Sequence, residues 1–390
     1  QEEKCLAFVQ LNHRGILRGK NVNDLTKKEI NDFFKNFGVG ASRAKAAGFD
    51  GIEIHGGNVY LIHQFLSPRE NKRKDEYGRT LEGRMQFPLR ILEECRKQVG
   101  NNYPIIFRLN GNEFVEGGWD LKQAKVLAQE LEKREVNALN VTAGGFSTRY
   151  WHTQPMALPR GCLVGICAEI KKVVNVPVIA VGRINNPDLA EEILQKGQAD
   201  LIAVGRGLIA DPDFPRKALE GRTAEIHQCV ACNYCRSRVA WKNHPLRCAV
   251  NPSAGREEEL QMQKSDRAKK VWVVGGGPAG MTAARILHEK GHHVSLFEAK
   301  ELGGKLNLAV LPPCKEEYEN LLKSLRERLV KCGVTPIRKE VTDRDVLEEK
   351  PDVVVVATGS KPKLLHFGSS IPHLYAEQIL ENGPGNQQSY

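Results

Sequence analysis

An α/β fold is predicted: a (β/α)8 barrel, incomplete at its N-terminus, then a cysteine-rich segment, then a second strand–helix–strand domain. Three observations carry this. Over the first 220 residues short β-branched runs alternate with helical patterns, which implies a parallel sheet with right-handed crossovers. Polar residues gather where the strands end, at His13, His55, Arg108, Thr142 and Arg183, the end at which such a barrel keeps its active site. At Lys269 the pattern starts afresh as strand, glycine turn, helix, strand.

Candidate strands are 5–11, 51–55, 105–109, 138–142, 177–181 and 200–204, with helical patterns such as 27–47, 82–99, 121–135 and 188–197 between them. A closed barrel needs eight strands. The remaining two are expected to precede residue 1, because Gln1 stands almost directly before a strand. Residues 221–268 hold four clustered cysteines, little periodicity and a charged stretch, 256–270, that reads as a linker. Beyond Lys269 a helix is expected at 316–331 and a strand at 352–357; the tail from Ser360 is rich in Gly, Pro, Ser and Asn. The expected division is 1–222, 223–268 and 269–390, the last incomplete at its C-terminus.

A chain of 390 residues, 41% hydrophobic, can bury two or three cores. No run of eighteen apolar residues occurs, so no membrane span is expected. The start, QEEKCLAFVQ, has neither a basic head nor an apolar signal core. A cytoplasmic protein is expected, and the missing initial Met suggests a fragment or a processed chain. The net charge of +10 is spread without any block of five Lys/Arg. That reads as a solvated surface with some attraction for phosphate, not as a nucleic-acid site. The sequence allows a homo-oligomer.

The glycine pattern Gly275-x-Gly277-x-x-Gly280 follows the strand-like run 271–274 and opens a helix. Such glycines permit a tight turn and let backbone N–H groups approach a pyrophosphate at a helix N-terminus. Glu298, about twenty residues on, is placed to accept from a ribose hydroxyl. A second pattern is Cys229-x2-Cys232-x2-Cys235-x12-Cys248. Without a secretory signal it reads as metal or iron–sulfur ligation. Its first three positions have ferredoxin-type spacing; zinc is the rival, though zinc sites usually pair cysteines as two separate arms. Cys5, Cys95, Cys162, Cys167, Cys314 and Cys332 are scattered.

Gly182-Arg183 and Gly205-Arg206 end two successive strands, and in barrels the last two loops often hold a phosphate. Arg108 interrupts the apolar run IIFRL, where a guanidinium needs an anionic or carbonyl partner unless it points outward. Finally, GIEIHGGNVYLIHQFL places His55, Asn58 and Tyr60 within six residues of a strand's end. His55 and Asn58 can donate to one ligand oxygen, drawing electrons from a conjugated carbonyl so that hydride attack is easier. Tyr60 can then supply a proton to the neighbouring carbon.

The run HGGNVYLIHQFLSPRENKRKDEYGRTLEGRMQF resembles the NADH:flavin oxidoreductase (Old Yellow Enzyme) family. With the cysteine run and the glycine-rich domain behind it, the chain is similar to the branch that resembles 2,4-dienoyl-CoA reductase and trimethylamine dehydrogenase. The resemblance implies an ene-reductase of an anaerobic bacterium. It would take electrons from NAD(P)H through FAD and a [4Fe-4S] cluster to FMN, and reduce the C=C bond of an α,β-unsaturated carbonyl. It implies His55 and Asn58 as carbonyl donors, Tyr60 as the acid, and Gln10 and Arg108 at the flavin ring. It also implies Arg183, Gly205 and Arg206 at the FMN phosphate. The position of a second catalytic His, counted back from Pro159-Arg160-Gly161, is Ser147 here, with His152 five residues on. The cysteine spacing looks more like trimethylamine dehydrogenase, whereas His55-Gly56-Gly57-Asn58 looks like an ene-reductase. An amine dehydrogenase and a catalytically incomplete electron-transfer fragment are the alternatives.

Overall fold

Strands buried on both faces read as near-continuous apolar runs; the four central strands of a six-stranded parallel sheet are of this kind, and its two edge strands are part-exposed. The computed structural model describes residues 5–13, 21–58, 60–145, 147–361 and 376–382, without the side chains of 240–242 and 382. By contacts the chain divides into two compact units, Gln1–Gly205 and Arg206–Tyr390.

The first unit holds β1 (Phe8–Leu11), β2 (Gly51–Gly56), β3 (Ile105–Asn110), β4 (Ala138–Thr142), β5 (Val178–Ala180) and β6 (Leu201–Ile202). They lie in sequence order, every neighbouring pair parallel, as consecutive staves of a barrel wall do. Among the described residues β1 and β6 are not paired with each other. The connecting helices are α1 (Lys27–Ala46), α2 (Leu61–Leu66), α3 (Leu81–Val99), α4 (Leu121–Lys133), α5 (Arg149–His152), α6 (Val164–Lys171) and α7 (Pro187–Gln195). Thr26 and Glu29 form a capping box that starts α1, and Asp120 caps α4, so the polar residue ahead of each run fixes where it begins. The core joins Ile52, Ile54, Phe107, Leu139 and Val141 of the sheet to Ile30, Phe34, Phe87 and Ile91 of the helices. Phe65 of α2 stacks on Phe87 of α3 at 3.8 Å. Packing thus leaves the strands' C-terminal ends as the face where loops and polar side chains meet.

The second unit begins with α8 (Arg206–Ala210), α9 (Phe214–Leu219) and α10 (Tyr234–Lys242), the last inside the cysteine segment. It continues with β7 (Lys270–Val274), α11 (Pro278–Glu289), β8 (His293–Glu298), α12 (Leu306–Ala309), α13 (Glu316–Lys331), β9 (Pro336–Arg338), α14 (Asp343–Glu349), β10 (Val353–Val356) and α15 (Ala376–Asn382). The sheet order is β10-β7-β8-β9, all parallel. The strand order reverses between β7 and β10, the crevice at which doubly wound sheets bind ligands. Val271, Val273, Met281, Leu296, Leu322 and Leu329 form its core. Of the tail from Ser360, residues 362–375 and 383–390 lie outside the described part. No helix among the described residues is long and apolar enough to cross a membrane.

Candidate active site and cofactor sites

β2 delivers His55 to the C-terminal face, opposite Arg108 of β3, which in turn stands opposite Asn140 of β4. His55 is buried, and the N–H of Gly57 donates to its Nδ1 at 3.3 Å. Nδ1 therefore carries the lone pair, and the ring proton sits on Nε2, available to a ligand. Burial, and then the charges of Arg108, His152 and His63, push the imidazole down to about 3. His55 is thus a neutral donor at physiological pH.

This has a measurable consequence. The folded-state value lies below the ordinary 6.5, so the unfolded chain takes up this proton first. The stability held by neutral His55 is complete above about pH 6.5 and is lost as pH falls toward about 3. Replacing His55 by Asn, a donor that does not titrate, should flatten that limb in denaturant unfolding measured against pH. The wild-type activity profile should show no inflection from this residue between about pH 5 and 8.

Asn58 follows in the left-handed region at φ 58°, which Asn tolerates better than most residues. Its Nδ2 donates to Ala143 O at 3.1 Å, while Oδ1 is buried with no partner among the described residues. Tyr60 starts α2, and its ring centroid lies 4.6 Å from that of His55. His152, in α5 after β4, stands edge-on to Tyr60 at 6.5 Å. Ser147 is exposed on the same loop. The structure thus draws the predicted trio together and adds His152.

Beneath them runs a polar row. Gln10 donates to Glu53, and Asn140 Nδ2 donates to the same carboxylate at 2.7 Å. Burial pushes the Arg108 guanidinium down, with Glu53 and then Tyr60 acting against it. Arg108 Nε and Asn140 Oδ1 are buried without partners among the described residues. Arg108 shares the register position of His55 on the neighbouring strand. A flavin ring fits here, since its edge carries both donors and acceptors and the buried Asn58, Arg108 and Asn140 atoms lack their own. Asn140 and Glu53 went unnoticed in the sequence; the signal was a polar residue in the middle of each of the runs ALNVT and GIEIH, two positions before the strand-end Thr142 and His55.

Gly182 and Gly205 follow β5 and β6 by two and three residues. Gly182 has φ 120° and Gly205 has open space where a Cβ would stand. Arg183, itself at φ 55°, is buried and donates through Nη1 to Met156 O at 2.9 Å. Arg206 opens the second unit, where its Nη1 donates to Asn233 Oδ1 at 2.5 Å.

Cys229, Cys232, Cys235 and Cys248 line one small cavity together with Arg206 and Asn233. Among the described residues no three Cys, His, Asp or Glu close on a point where one metal ion would sit. The four thiols share the wall of that one cavity. Ala231 N–H donates to Cys229 Sγ at 3.4 Å, and burial pushes that thiol up to about 11. A coordinated thiol, by contrast, is deprotonated outright. Cys95 and Cys167 are buried elsewhere, each pushed up to about 12, and are inert packing residues.

The dinucleotide turn is formed as its glycines predict. At Gly275, φ 108°, a Cβ would meet Ala357 O at 2.3 Å, and at Gly280 it would meet Gly275 O at 1.8 Å. Gly277 opens α11 with nothing beside it, which leaves room for a pyrophosphate at the helix N-terminus. Glu298 Oε2 accepts from Gly276 N at 2.6 Å and Oε1 from Lys300 N at 2.9 Å. The acid braces the loop, and each oxygen keeps a lone pair for a ribose hydroxyl. An apolar groove of about 720 Å³ runs from Pro278, Ala279 and Thr282 of α11 to Cys248 and Pro252.

The family model described as "NADH:flavin oxidoreductase / NADH oxidase family" matches residues 1–225, and that of "Pyridine nucleotide-disulphide oxidoreductase" matches residues 269–382. The chain is 46% identical over 349 residues to an NADH oxidase of Thermoanaerobacter brockii, covering 88% of this chain and 54% of that protein. It is 34% identical over 394 residues to a cinnamate reductase of Clostridium sporogenes, covering 96% and 59%. Among solved structures, a 2-naphthoyl-CoA reductase complex superposes with a TM-score of 0.86 at 31% identity, covering 96% of this chain and 58% of that one. The chain spans little more than half the length of these relatives.

Proposed function

The chain belongs to the NADH:flavin oxidoreductase / NADH oxidase family, and from that premise we propose that it reduces the C=C bond of an α,β-unsaturated carbonyl compound. The family carries a flavin in the first matched region and takes a dinucleotide in the second. The observation that carries the reading is the neutral, Nε2-protonated His55 beside Asn58 and Tyr60. His55 Nε2–H and the second Nδ2 hydrogen of Asn58 hold the substrate's carbonyl oxygen and draw electrons from its β-carbon. Tyr60 gives its phenolic proton to the α-carbon. Arg108, Gln10 and Asn140 hold the flavin ring, and Arg183, Gly205 and Arg206 its phosphate. Cys229, Cys232, Cys235 and Cys248 hold a [4Fe-4S] cluster; Gly275, Gly277, Gly280 and Glu298 hold FAD. When bound, FMN supplies the hydride, the cluster single electrons, and FAD the exchange with NAD(P)H. Residues 1–222, 223–268 and 269–390 divide these tasks.

An amine dehydrogenase is the second reading. The stacked pair Phe114–Trp151, centroids 4.1 Å apart, is the observation in its favour, since aromatic faces attract an alkylammonium. Two hydrogen-bond donors aimed at an oxygen have no task in that chemistry, and they favour the ene-reductase.

The test is anaerobic purification followed by assay of FMN, FAD, iron and acid-labile sulfide per polypeptide. One FMN, one FAD and four irons are expected. Iron and FAD without FMN would mean that this chain lacks a working catalytic half and acts as an electron-transfer module.

A further inference from the structure

Glu113 lies in the loop after β3 and is 5% exposed. Its carboxylate accepts from His63 Nε2 at 2.8 Å, Ser67 Oγ at 2.9 Å and Trp119 N at 2.6 Å. Its backbone oxygen accepts from Thr148 Oγ1 at 2.5 Å, and the same hydroxyl accepts from Gly145 N at 2.8 Å. His63 is 1% exposed and belongs to α2; Ser67 caps the C-terminal end of that helix. Thr148 stands at the N-cap of α5, the four-residue helix that carries His152. One buried residue is therefore bonded to both elements that bring His152 edge-on to Tyr60.

Neither element holds itself. α2 has six residues and α5 has four, far below the dozen or so that make a helix stable alone. Neither Tyr60 nor Thr148 makes a side-chain cap bond to its own helix. Burial would raise the Glu113 carboxyl, but His63, Trp119 and Ser67 together outweigh it and hold it below its ordinary value. The buried carboxylate is thus charged and fully engaged, the condition under which a polar network specifies one geometry.

We propose that Glu113 is the positioning residue of the site, fastening α2 and α5 to the loop after β3 so that Tyr60 meets its substrate in one fixed pose. Its effect on proton delivery rests on the function proposed above; the fastening itself does not.

The test is Glu113→Gln in the flavin-loaded protein. Gln offers one acceptor oxygen, so at least one of the three donors loses its partner. Amide hydrogen exchange should quicken at least tenfold in 61–67, while 148–152, held by the main-chain oxygen that Gln keeps, and α4 stay unchanged. Reduced flavin should be reoxidised by 2-cyclohexenone at least tenfold more slowly, and by ferricyanide, which takes no proton from Tyr60, at the wild-type rate. Exchange that quickens throughout the first unit, or that does not quicken in 61–67, would overturn the proposal. So would equal slowing with both oxidants. Thr148→Val guards against a misfolded variant: it should free 149–152 and leave 61–66 protected, and loss or protection of both together would count against the tie. If wild-type reduced flavin ignores the enone while ferricyanide reoxidises it, the ene-reductase reading falls, and the exchange data still decide the fastening.

Discussion

Replacing Tyr60 by Phe should slow the reduction of an enone or enoate by about 10²- to 10⁴-fold, the usual contribution of a positioned general acid. Flavin reduction by NAD(P)H should be unchanged. The split follows from where the phenol stands. Tyr60 lies 4.6 Å from His55, ring to ring, and opposite His152, at the place where a carbonyl compound would sit. Phe keeps the ring, its contact with His55 and the start of α2, and removes only the proton. In free-energy terms the loss is roughly 3–5 kcal/mol of transition-state stabilisation. Stopped-flow traces separate the halves: the reductive phase should overlay wild type, and the oxidative phase should slow and lose its solvent isotope effect. A Phe variant with full turnover would remove Tyr60 from the mechanism. Slowing of both phases together would mean that the ring, not the proton, had been needed.

What could be read from the sequence was what local spacing encodes. The strand expected at 138–142 and the helix expected at 316–331 agree residue for residue with β4 and α13, because one face of each is apolar at its own period. The His55, Asn58, Tyr60 trio was legible because one strand end and one turn carry all three. The glycine turn was legible because backbone geometry admits no other residue at Gly275 and Gly280. β9 escaped because it is three residues long, starts at Pro336 and is mostly exposed, so it has no hydrophobic alternation to betray it. Glu113 escaped for a different reason. In NEFVEGG it is an ordinary loop acid, and its partners His63 and Ser67 lie 50 and 46 residues upstream. Arg206 shows the same limit. Its motif suggests a phosphate ligand, and only the fold shows that its guanidinium also bonds Asn233 at the wall of the cysteine cavity. Periodicity reports which face of an element is buried; it does not report which distant group lies against a given atom.

The cysteine cavity carries the other large effect. Replacing Cys248 by Ala should abolish acid-labile sulfide and iron, and with them the reduction of FMN by NAD(P)H, while dithionite still reduces the FMN. The argument starts from the walls. All four cysteines line one cavity. In the proposed cluster the three cysteines spaced by two residues would wrap one compact body, and Cys248, thirteen residues beyond Cys235, would close it. Cys248 is also the cysteine that lines the groove leading to the first turn of α11, where the dinucleotide loop opens. If the four cysteines hold a cluster as proposed, loss of Cys248 would open the cluster's shell on the side that faces this groove. Zinc in place of iron in the wild type, with FMN still reduced by NAD(P)H, would sink the cluster, since zinc carries no electrons. Iron retained at wild-type stoichiometry in the Ala variant would show that Cys248 is no ligand, and that the groove, not the cluster, is what that thiol serves.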